Sequence, residues 1–145
     1  MGFGFFLLFL AGLAFVMLQG RQLAQQHAPG GGSSFTGISW RPVFVGADEI
    51  PENSGMFVKF EVDGSINGHG GCNSFSGSIE KSDAGTAIGP LASTRMACPE
   101  PIMNREAAFL EALQNTRHFG ASPKRLQLLS EDRSLLVELV PQSQS

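Results

Sequence analysis

The sequence predicts an α+β, mainly β fold: an antiparallel curled sheet or small open barrel of about seven strands with one α-helix, preceded by an N-terminal apolar helix. Three observations lead there. Short apolar–polar alternations recur between Asp-Gly, Asn-Gly and Gly-Gly pairs, the pattern of strands joined by tight turns. Only residues 99–116 switch to helical spacing. The stretch from Gly2 to Leu18 is apolar throughout and carries no charge.

As a helix, that first stretch would span roughly 26 Å, close to a bilayer core of about 30 Å. Residues 1–19 are therefore read as a signal anchor or a signal peptide. The retained anchor is favoured, because no Lys or Arg precedes the apolar run and the small-residue cleavage pattern is poor. Arg21 alone would favour a cytoplasmic C-terminus, while the cysteine pair favours the opposite side. Residues 20–34 are rich in Gln, Gly and Ser and read as a flexible linker. The domain is expected over 35–141, with 142–145 as a tail.

Within the domain, Ile38, Trp40 and Phe44 alternate, and Pro42 calls for an edge or a bulge. Met56, Val58, Phe60 and Val62 alternate against Phe57, Lys59 and Glu61, the clearest period-two signal in the chain. Asp63-Gly64 has the composition of a type I′ turn, returning the chain through Ser65–His69. Phe75, Gly77 and Ile79 mark the next strand, and 86–91 another. Met103, Ala107, Leu110 and Leu113 form the helical stripe, widened by Ile102 and Phe109. Pro101 suits a first turn; Glu100 and Glu106 early, with Arg117 and His118 late, complement the helix dipole. Arg125–Leu129 and Leu135–Val140 close the set, joined by Glu131-Asp132-Arg133.

Formal net charge is −3, from 10 basic and 13 acidic residues that are well mixed, and no basic run exists, so nucleic acid is not an expected partner. Twelve Phe with no Tyr point to rings used for packing. The two cysteines, Cys72 and Cys98, follow an export-type segment, and an even pair in that setting reads as a disulfide stapling a hairpin end to the helix start. Free buried thiols, or a metal set of Cys72, Cys98, His69 and His118, are the alternatives; the spacing is not diagnostic for zinc, and no metal or cofactor is expected. No catalytic constellation stands out. Cys72 lacks a Cys-x-x-Cys context, and Ser74 and Ser76 lack a nucleophile elbow. Asp48, Glu49 and Glu52 read as a solvated turn, and Arg95 as part of the passage into the helix.

The order of motifs resembles the META-domain family, the domain of HslJ-like heat-shock proteins of the bacterial envelope. The resemblance rests on Trp40, on Phe60-Glu61-Val62-Asp63-Gly64, on Gly70-Gly71-Cys72-Asn73, on Thr94-Arg95-Met96-Ala97-Cys98, and on Glu106-Ala107-Ala108-Phe109. It implies a small barrel-like α+β fold with one helix, an envelope setting and no accepted catalytic activity. Many relatives are lipoproteins, whereas this chain has no cysteine near its N-terminus.

The expected function is therefore that of a non-catalytic cell-envelope protein, stress-related, with a periplasmic domain anchored to the inner membrane or secreted to the periplasm. It is expected to be a monomer binding an unidentified protein or small apolar ligand. One alternative is a small-molecule or lipid binder with an apolar cavity lined by Phe57, Phe60, Phe75, Ile79 and Phe109. Another is a secretion or assembly chaperone taking a peptide along an open sheet edge.

Overall fold

A computed structural model describes residues 35–143, so the expected apolar helix of 1–19 and the linker of 20–34 lie outside the described residues. The strands are β1 (Ser39–Val45), β2 (Asp48–Glu49), β3 (Phe57–Phe60), β4 (Ser65–His69), β5 (Ser74–Ser82), β6 (Gly85–Ile88), β7 (Ala92–Ser93), β8 (His118–Ser122), β9 (Arg125–Leu129) and β10 (Leu135–Pro141). The helix α1 covers Glu100–Gln114, and a short 3-10 turn covers Glu52–Ser54.

All strands join one antiparallel sheet in the order β6-β5-β4-β3-β1-β10-β9-β8, with β2 added beside β1 and β7 beside β5. The path does not close: β6 and β8 are its two ends and are not paired with each other. The helix packs on β10, β1 and β6. Phe109 and Leu113 of α1 are fully buried with Trp40, Val58, Phe60, Leu126, Leu128, Val137 and Leu139 of the sheet, forming one core.

Among the described residues, ten strands stand where about seven are expected. The additional ones are β2, β7 and β8. The first two have two residues each, too short for alternation to register. Strand β8 reads His-Phe-Gly-Ala-Ser, a sequence of low strand propensity held by its pairing with β9 from His118↔Leu129 to Ser122↔Arg125.

Several side chains sit on the face opposite to the one their spacing predicts. Trp40 is buried, but Ile38 lies before β1 and Phe44 is exposed, because the ladder with β10 shifts register between Pro42 and Phe44. That bulge explains how Pro42 is tolerated inside the sheet rather than at its edge. Met56, Val58 and Phe60 are buried as the alternation requires, whereas Val62 is 85% exposed in the turn. The turn is not type I′. Gly64 donates to the Glu61 carbonyl at 3.0 Å, and Glu61 N donates to the Ser65 carbonyl at 2.9 Å, closing a three-residue loop. Only Gly64 in that loop has positive φ, at 89°.

The helix is rotated by about one position from its expected stripe. Met103 and Ala107 face outward, and the buried face runs through Glu106, Phe109, Ala112 and Leu113, with Ile102 and Leu110 half-buried. At its C-terminus, Arg117 Nη1 donates to the carbonyls of Gln114 and Thr116 at 2.8 and 2.9 Å, satisfying groups that the helix leaves open.

Candidate functional site

The two cysteine-bearing strings meet. Cys72 and Cys98 form a disulfide with Cα atoms 6.0 Å apart, joining the loop after β4 to a position two residues before α1. This disposes of the zinc set, since sulfurs bonded to each other cannot serve as thiolate ligands. His69 Nδ1 instead accepts the Gly71 N–H at 3.1 Å, and His118 lies elsewhere, on β8.

Glu106 stands at the centre of this junction, only 6% exposed. Its Oε2 accepts the backbone N–H groups of Cys72 and Asn73 at 2.9 and 2.6 Å. Its Oε1 accepts the Asn73 side-chain amide at 2.7 Å. Asn73 in turn uses Oδ1 to accept from Met96 N at 2.6 Å and Thr94 Oγ1 at 2.9 Å. One buried carboxylate and one buried amide therefore tie α1, the 70–73 loop and the 94–98 strap together, beside the disulfide. Burial is the largest influence on the Glu106 carboxyl and pushes its pKa up. The hydrogen bonds from Asn73 and Cys72, with the nearby His69, outweigh it and hold the pKa below the ordinary 4.5.

The glycines of the string follow from this geometry. A Cβ on Gly70 would meet Glu106 Cγ at 2.5 Å and Oε2 at 2.6 Å. Gly71 has φ of 105°, a conformation that L side chains rarely adopt. Asn73 does more than cap a turn, the role its sequence context implies: it bridges two segments. Arg95 and Ala97 are exposed, and Met96 is 61% exposed, so the strap contributes to the junction mainly through backbone and Thr94.

The five residues proposed to line a cavity do not gather around one. Phe60, Phe75 and Phe109 fill the core, with Phe75 edge-on to Phe109 at 6.0 Å between ring centroids. Phe57 sits half-buried on the other face of β3, because successive strand residues alternate sides. Ile79 alone of the five borders a groove.

That groove, of about 680 Å³, lies at the seam where the unpaired ends of the sheet come near each other. Phe35, Ile79 and Phe119 supply its apolar surface, and Lys81, Arg117 and His118 its basic and N–H-bearing side. Phe35 stacks on Phe119 with centroids 5.4 Å apart, and both stand edge-on to Phe60. The buried Trp40 Nε1 donates to the Phe35 carbonyl at 2.8 Å and so fixes the entry of the chain beside the groove.

The sequence profile of the META domain matches residues 33–142. The chain belongs to the META-domain family. Solved structures with the same fold include a protein from Burkholderia xenovorans determined by NMR, with a TM-score of 0.58 and 22% identity over 76% of this chain and 85% of that one. A DUF4847 family protein from Bacteroides vulgatus, solved by crystallography, gives 0.55 and 17% over 77% and 96%. These likenesses concern the fold. No curated protein matches the sequence.

In this META domain, sequence reading singled out Gly70, Gly71, Cys72, Asn73, Thr94, Met96, Ala97 and Cys98, and the structure brings them to one junction. It missed Glu106, which reads as a dipole-complementing helix residue. The available signal was its spacing: Ile102, Glu106, Phe109 and Leu113 follow helical periodicity, which places a carboxylate within an apolar stripe. The groove was also missed, because its walls come from segments far apart in the chain.

Proposed function

We propose that this META domain is a non-catalytic, disulfide-stapled binding module of the bacterial cell envelope. Residues 1–19 anchor it to the inner membrane or export it, and the linker 20–34 carries it in the periplasm, where it serves stress tolerance by engaging a partner. The observation that carries this reading is the junction itself. The polar and sulfur-bearing groups that distinguish the chain are engaged with one another, and the central bond is one that oxidising compartments maintain. The test is mass spectrometry of the denatured chain after alkylation, combined with fractionation of bacterial cells. An unalkylated, disulfide-bonded chain in the inner-membrane or periplasmic fraction is expected. Two alkylated thiols in a cytoplasmic chain would overturn it.

A second reading, small-molecule or lipid binding, draws support from the seam groove. The core between the sheet and the helix is filled by Phe60, Phe75 and Phe109, so a ligand of this domain would bind at the seam.

A further inference from the structure

We propose that the seam groove binds a single-headed carboxylate amphiphile, its apolar body on Phe35, Ile79 and Phe119 and its headgroup at Lys81, Arg117 and His118. This rests on the reading of the domain as a non-catalytic binder and names the chemical class of its partner.

Charge complementarity selects the class. Two carboxylates also border the groove. Glu61 is neutralised by its pair with Lys59 at 2.8 Å, whereas Asp63, whose Oδ1 accepts from Ser65 N and Oγ at 2.9 and 2.6 Å, keeps its charge. Two cations, Lys81 and Arg117, stand against that one carboxylate, and neither pairs with a carboxylate among the described residues. Arg117 gives one nitrogen to the two carbonyls at the end of α1, which leaves the other guanidinium donors for an acid. His118 adds a ring N–H that no described side chain takes up. Basic groups beside an aromatic and aliphatic surface match a molecule with one acid and one apolar body.

The geometry disfavours an inserted peptide strand. Only Gly85 and Thr86 of β6, and His118 and Phe119 of β8, border the groove. Strand addition needs a longer run of free backbone than such a pair on each edge. A groove of about 680 Å³ instead falls in the range of small-molecule sites.

The test uses the full chain in phosphatidylcholine nanodiscs, titrated with decanoate. Trp40 is the one tryptophan of the chain, and its bond to Phe35 makes its fluorescence the reporter. Saturable binding is expected, with 1-decanol about tenfold weaker and decyltrimethylammonium failing to compete. Lys81→Gln, an exposed substitution, should weaken decanoate by roughly five- to tenfold and leave decanol unchanged. Thr86→Phe, which fills the groove without altering charge or adding a second tryptophan, should abolish both. Equal binding of decanoate and decanol, or binding that survives Thr86→Phe in a chain with unchanged thermal unfolding, would overturn the proposal. So would an extended peptide that protects the amides of 85–88 and 118–122 from hydrogen exchange where decanoate does not. A failed titration in a chain with an intact disulfide and envelope location removes the ligand class alone, and the reading of the domain stands.

Discussion

Glu106 grips Asn73 at two points, taking its backbone N–H on Oε2 and its side-chain amide on Oε1, across 33 residues of sequence. The Asn73 amide has one further and longer bond, from Nδ2 to the Met96 carbonyl at 3.4 Å, so Glu106 is its closer acceptor. The helix therefore docks on the sheet in one register along its axis, set by a polar contact, while Phe109 and Leu113 supply the apolar attraction.

Replacing the carboxylate tests that grip. Glu106→Gln keeps the shape but offers one acceptor oxygen to three donors and turns an NH₂ group toward the rest. A loss of about 2–3 kcal/mol is expected from urea unfolding monitored by circular dichroism. An unchanged midpoint would show that water replaces the carboxylate without penalty.

The same group makes stability depend on acidity. Its pKa is held below 4.5 in the folded chain, so the unfolded chain binds the proton more readily. The contribution is complete above about pH 4.5 and is lost as pH falls through the folded value. Asp63 and Asp132, lowered by hydrogen bonds from Ser65 and from Ser130 and Ser134, add their own acid sensitivity. The difference between the parent and Glu106→Gln isolates Glu106. It should shrink as the pH is lowered below about 4.5 in equilibrium unfolding; a constant difference would contradict the assignment.

Gly70 and Glu106 should couple. Gly70→Ala places a methyl group against a carboxylate that its hydrogen bonds hold still, and a loss of about 1–3 kcal/mol is expected. In a Glu106→Ala background the obstruction is gone, and the same glycine substitution should cost at most about 0.5 kcal/mol at this site. Additive effects in a double-mutant cycle would disprove the contact.

The disulfide closes a separation of 26 residues. Reduction, or Cys72→Ala with Cys98→Ala, should lower stability by roughly 3–4 kcal/mol through the freedom returned to the unfolded chain. Since the carboxylate junction remains, the reduced chain should keep its native far-ultraviolet circular dichroism at room temperature. Loss of that spectrum on reduction would assign the fold to the staple rather than to the junction.

Local pattern and chemistry in the sequence were enough to determine the mainly β class, the helix near residues 100–114, the alternation of Met56, Val58 and Phe60, and the two strings that carry the cysteines. Each of these follows from neighbours within a few residues or from the reactivity of a thiol pair. Tertiary structure alone decided the rest. A register shift at Pro42 turned Phe44 outward, pairing with β9 made a strand of His118–Ser122, and three buried donors drew Glu106 into the core. The groove joins Phe35, Ile79 and Phe119, which no local period relates. Hydrogen-bond satisfaction and the meeting of sheet ends are long-range conditions, and a sequence expresses them only once the chain has folded.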